Sequence, residues 1–147
     1  MPPLRIYLDT DGLLDLVSSK SPVDDENRTV IGLSLSKGTL VFVTSEITVL
    51  EALVHPLRDK DEEREAILRG FLTPSHFIET CPVSLQVIED ALLLRAQFGL
   101  KSPDSIHIAT GIAANCGVFL TKDEKWGKIG LSVISANTLV AMLKDSS

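Results

Sequence analysis

With 147 residues, 44% of them hydrophobic, the chain suits one ordinary domain with a self-supporting core. Acidic residues outnumber basic ones by 20 to 14, giving a net charge of −6 and a pI of about 5.0; this argues against broad, unselective binding to nucleic acid and leaves room for a local basic rim. No run approaches the ~20 apolar residues of a membrane span.

The apolar run in MPPLRIYLD is too short for a secretory signal. Cys81 and Cys116 have no CxxC partner, which points away from a zinc ribbon or a disulfide framework and toward a reducing cytoplasm. The sequon at Asn27 to Thr29 then carries no weight.

In chain order, residues 4–8 (LRIYL) read as a buried strand, and 10–18 as a helix with Leu13, Leu14, Leu16 and Val17 at helical spacing. Residues 19–28 (SKSPVDDENR) read as a polar loop, followed by a short helix around 29–36 and a strand at 39–43. Thr44 or Ser45 should cap a helix running to about Leu57, and DKDEEREAILRGFL should form a second helix with its acids at the favoured N-terminal end. A strand near 76–81, a helix from Ser84 to Phe98, and a helix with Ser102 as N-cap and Pro103 at its first position come next. A strand at 118–121, a turn rich in lysine and glycine, a strand at 131–134 and a helix from Ala136 to Lys144 complete the chain. Strands separated by helices predict a single three-layer α/β/α domain over residues 1–147, with a central, mainly parallel sheet.

In such sheets ligands gather beyond the carboxyl ends of the strands, so acids that follow strands come first. Asp9 follows RIYL and is equally suited to capping the first helix. Glu51 lies on a helix that is apolar nearly all round, so it should be partly buried and in need of a cation, a proton, several donors or a salt bridge. Asp104 opens a helix, where an acid complements the dipole, and Asp123 would also serve as a turn residue. The signal lies in the four together: hard oxygen ligands without His or Cys in metal-binding register favour Mg²⁺ or Mn²⁺ over zinc. His55 ends a helix, His76 starts a strand, and His107, a turn beyond Asp104, reads as a surface or core histidine, with a place facing the site as the alternative.

LDTDG resembles the first motif of haloacid-dehalogenase-type phosphatases, with Asp9 as nucleophile, but Leu13 stands where that motif needs a hydroxyl and no paired-acid motif follows. A second resemblance covers the whole chain. IYLDT, TSEITVLEAL and LKSPDSIHIATGIAANCGVFLTKDEKW are similar to the motifs of PIN-domain ribonucleases that serve as toxins in bacterial and archaeal toxin-antitoxin pairs.

Asp9, Glu51, Asp104 and Asp123 fall on that family's four acidic positions, and Thr121 on the hydroxyl that accompanies the last. The resemblance implies RNA hydrolysis by metal-activated water, with Asp9 and Asp104 as direct ligands of Mg²⁺ or Mn²⁺. Glu51 and Asp123 would ligate directly or through water, and Thr121 would orient a ligand or water. It further implies an antitoxin partner and a homo-oligomer, a dimer at its simplest. Asp11 departs from the family's usual Asn or Ser and adds a charge near the site. Lys101, Lys122, Lys125 and Lys128, with Trp126 as a base-stacking surface, form the candidate RNA-contact rim; the alternative is that the lysines are ordinary solvated charges and Trp126 closes the core. The reading from a different class is a PIN-like fold kept as a binding module without turnover.

Overall fold

A computed structural model describes residues 2–17, 25–72 and 78–145 of the chain. The strands are β1 (Leu4–Leu8), β2 (Leu40–Ser45), β3 (Ile78–Cys81), β4 (Val118–Leu120) and β5 (Val133–Ile134). Between and around them run α1 (Thr10–Val17), α2 (Asp25–Ser36), α3 (Glu46–Arg58), α4 (Glu62–Leu72), α5 (Leu85–Phe98), α6 (Ser102–Ala113), α7 (Lys125–Lys128) and α8 (Ala136–Asp145). All pairings in the sheet are parallel, in the order β3-β2-β1-β4-β5. The three-layer parallel architecture expected from the sequence is therefore present.

Alternation along β1 sets the two layers. Ile6 and Leu8 face a core completed by Leu13 of α1, Leu53 of α3, Leu68 of α4 and Leu139 of α8. Tyr7, pointing the other way, joins Val43, Phe119, Ile108 and Trp126 under α6 and α7. Both faces of the sheet are thus buried, and the strands read as continuous apolar runs for that reason.

Two glycines let helices sit unusually close to the sheet. A Cβ on Gly12 would lie 2.2 Å from the Leu120 carbonyl oxygen, and one on Gly111 would lie 2.4 Å from the Phe119 ring. α1 is thereby pressed onto the end of β4, and α6 onto β4 and β1.

Several boundaries differ from the sequence expectation. α2 begins at Asp25 rather than near 29, because Asp25 and Glu26 occupy a first turn in which acids are favoured; the polar reading of 19–28 as a loop missed this. Residues 18–24, which take in the first part of that stretch, and His76 with 73–77, lie outside the described residues. Ser45, not Thr44, caps α3, accepting from the Ile47 N–H at 3.1 Å. The α6 cap is Lys101, one residue before the expected Ser102. The lysine-rich turn contains the single-turn α7, and β5 is limited to two residues.

Candidate active site

The strand order places a topological switch point between β1 and β4: the chain leaves β1 toward β2 and β3, and returns to the other side of β1 as β4. Crevices beyond the carboxyl ends of such strands are where open α/β sheets bind ligands. Asp9 is the first residue after β1, and Thr121 the first after β4.

Asp9 satisfies both readings given to it from sequence. Its Oδ1 accepts the Gly12 N–H at 2.7 Å, so it caps α1, while its Oδ2 accepts the Thr121 hydroxyl at 2.5 Å. Thr121 in turn accepts the Asp123 N–H at 3.1 Å, and Asp123 Oδ1 accepts the Lys125 N–H at 3.0 Å. One hydroxyl therefore ties the acid after β1 to the acid after β4. Burial pushes the Asp9 carboxyl above its ordinary range against the pull of the Thr121 and Gly12 hydrogen bonds and the His107 ring, with the neighbouring Asp11 charge adding to the rise. Asp11 itself is exposed in the first turn of α1.

Glu51 reaches the same crevice from α3. It is partly buried, as its wheel position required, and its partners are donors rather than an arginine. Oε1 accepts from the Thr10 hydroxyl at 2.7 Å and meets His107 Nε2 at 2.8 Å. The His107 hydrogen bond holds the Glu51 carboxyl below its ordinary range, with Thr10 contributing and burial opposing. Asp104, in the first turn of α6, is raised chiefly by burial and then by the charge of Asp123, with Glu51 adding to the effect. Asp104 thus feels the charges of Asp123 and Glu51, while Asp9 is tied to Asp123 through the Thr121 hydroxyl.

Among the described residues, no three His, Cys, Asp or Glu side chains stand close enough together to enclose a metal ion by themselves. The donor set suits a hard cation that keeps much of its water and takes one or two carboxylates, which is the habit of Mg²⁺. The raised carboxyls of Asp9 and Asp104 are the groups whose ionised forms such a cation would favour.

Around the crevice, Lys101 and Lys125 are exposed, while Lys122 Nζ is drawn to Asp15 at 2.8 Å. A pocket of about 510 Å³ opens beside Thr121, lined by apolar side chains such as Leu120, Val133 and Ile134 together with Lys122, Asp15 and Glu124. Trp126 is not part of any rim. It is 1% exposed, packed 6.0 Å from the Phe119 ring and 6.4 Å from His107, so it closes the core and offers no face to a base. Conversely, Thr10 and His107 were not singled out from sequence as partners of the acids; the only signal for His107 was its place one helical turn after Asp104.

No curated protein sequence matches the chain. Among solved structures, the chain is similar to VapBC2 from Rickettsia felis bound to a promoter DNA fragment, with a TM-score of 0.71 at 16% identity over 89% of this chain and 98% of that one. A toxin-antitoxin complex from Klebsiella pneumoniae matches with a TM-score of 0.64 at 23% identity, covering 89% and 97%. VapC20 from Mycobacterium tuberculosis, a Sarcin-Ricin loop cleaving toxin, matches with a TM-score of 0.64 at 15% identity, covering 88% and 98%. At such identities these likenesses establish the shared fold. The sequence model of the PIN domain matches residues 6–131, taking in Asp9, Glu51, Asp104, Thr121 and Asp123, and the chain belongs to the PIN domain family.

Proposed function

We propose that the protein is a metal-dependent endoribonuclease that hydrolyses RNA phosphodiester bonds, and that it acts as the toxin of a toxin-antitoxin pair in the cytoplasm. The observation that carries this reading is the gathering of Asp9, Glu51, Asp104 and Asp123 at the switch point of a PIN domain, with Thr121 joining two of them. Similar folds include toxin-antitoxin complexes and a toxin that cleaves the sarcin-ricin loop, which supports the same direction.

Asp9 and Asp104 would hold Mg²⁺ or Mn²⁺ directly, with Glu51 and Asp123 binding it directly or through water. A divalent cation bound there lowers the pKa of a water molecule and offsets the charge that develops on the phosphate. Thr121 fixes the plane of the Asp9 carboxylate by occupying Oδ2, and the Gly12 N–H does the same at Oδ1. Each of these oxygens keeps a second lone pair for the site. Lys101 and Lys125 supply positive charge at the rim of an otherwise acidic protein, and Lys122, paired with Asp15, would have to exchange that partner for a phosphate to join them.

Association is supported by the large side chains left on the surface. Leu50, Val54 and Leu57 of α3 and Leu85, Leu92 and Leu93 of α5 are all exposed, and a second copy of the chain would cover apolar area of this kind.

The test is cleavage of a broad RNA panel by purified protein with Mg²⁺ or Mn²⁺, beside an Asp9→Asn variant. Cleavage by the wild type alone is expected. An intact panel, or equal cleavage by the variant, overturns the nuclease reading. A protein whose melting temperature ignores Mn²⁺ as well would be a binding module.

A further inference from the structure

The second face of the sheet carries a polar pair that the four acids do not explain. Tyr7 is fully buried and His107 is 3% exposed, yet the Tyr7 hydroxyl lies 2.6 Å from His107 Nδ1, beside a cluster of apolar side chains and with the buried Thr44 side chain as a further polar neighbour. Burying two such groups is costly unless both are satisfied, and a pair of apolar residues would fill the same space more cheaply. The far nitrogen of the ring emerges at the crevice, 2.8 Å from Glu51 Oε1.

The carboxylate fixes the direction of one of these bonds. An ionised carboxylate can only accept, so Nε2 must carry the hydrogen. In the Nε2–H tautomer Nδ1 is the acceptor, and the Tyr7 hydroxyl is the donor placed to meet it. Thr10 gives a second hydrogen bond to the same oxygen of Glu51 at 2.7 Å. Oε1, with two lone pairs, is fully occupied by the protein.

We infer that Tyr7 and His107 are positioning residues which, with Thr10, commit Oε1 of Glu51 to the protein and leave Oε2 as its single oxygen for the site. Glu51 then meets a cation or its bound water through one oxygen and does not chelate with both. This rests on the metal-dependent reading proposed above for its consequence, but the arrangement itself belongs to the metal-free protein. Partners that orient a ligand in this way typically change metal affinity 10- to 100-fold when removed.

Two near-isosteric substitutions separate orientation from packing, because the glutamine amide nitrogen falls near Nε2 and the asparagine amide near Nδ1. His107→Gln keeps a donor for Glu51 and gives up Tyr7; His107→Asn keeps a group beside Tyr7 and abandons Glu51. Mn²⁺ affinity, read from the electron paramagnetic resonance of the free ion, should stay within about 3-fold of wild type in His107→Gln and fall about 10- to 100-fold in His107→Asn. Nitrogen-15 spectra of the metal-free wild type should show the Nε2–H tautomer at His107. The Nδ1–H tautomer, or equal Mn²⁺ affinities in the two variants, overturns the positioning role. A wild type with the Nε2–H tautomer that binds no Mn²⁺ overturns the metal-dependent reading and leaves the orientation of Glu51 standing.

Discussion

Replacing Gly12 by alanine sets two effects of opposite sign against each other. Alanine inside a helix is ordinarily favoured over glycine by about 1 kcal/mol. Gly12 is not among the positive-φ glycines, so its local backbone conformation does not reserve the position. The added methyl, however, would stand 2.2 Å from the Leu120 carbonyl oxygen and 3.1 Å from Asp9 Oδ1. That carbonyl belongs to β4, held in register by the Leu8 and Leu120 pairing, so relief must come from α1 backing away by about 1 Å.

Overpacking of this kind costs about 1–3 kcal/mol, and a displaced helix also strains the Gly12 hydrogen bond to Asp9, worth about 1 kcal/mol. Sterics therefore outweigh propensity, leaving a net loss of about 2 kcal/mol and a melting temperature lower by roughly 4–8 °C for a chain of this length. Calorimetric unfolding of Gly12→Ala beside wild type measures it. A variant that melts at or above the wild-type temperature would refute the claim that close approach of α1 to β4 dictates this residue.

Asp9→Asn should raise the melting temperature of the metal-free protein at pH 7 while abolishing cleavage. Asp9 is raised above its ordinary 3.8, chiefly by burial, so the stability linked to it is complete below about that pH and lost as the pH climbs through the folded-state value. The advantage of the asparagine should accordingly grow from near pH 4 toward neutrality, and a constant difference across that range would sink the argument. Cys116 is buried and its thiol is pushed up to about 11, chiefly by burial. A thiol reagent at pH 7 should therefore label it far more slowly under native conditions than in denaturant, and equal rates would contradict its placement.

The sequence was most legible where one residue's neighbours along the chain decide its fate. The apolar runs LRIYL, LVFV and VFL announced buried parallel strands, and Asp9, Glu51, Asp104 and Asp123 were recognisable because each broke a local pattern or opened an element. It was least legible where distant residues decide. Glu51 needed donors, but nothing at its own position could show that one would come from His107, 56 residues away. His107 looked like an ordinary core histidine because half of it is one: Nδ1 faces Tyr7 inside the core, and only Nε2 reaches the crevice. Trp126 left two readings open, a base-stacking surface or a plug of the core, and the second holds. Its lysine and glycine neighbours in a turn could not decide between them; tertiary packing against Phe119 did. The early start of α2 was hidden by polar residues that suit a first helical turn as well as a loop.

Helix α6 carries Asp104 at its opening and His107 one turn later, and Gly111 seats it against Phe119. A single rigid body therefore sets the place of one acid and the attitude of another that belongs to α3. The two cannot drift independently: a substitution that tilts α6 changes both, and a repair at either alone leaves the other misplaced. Evolution and engineering alike would have to treat α6, the Tyr7 hydroxyl and the Phe119 ring as one inherited block.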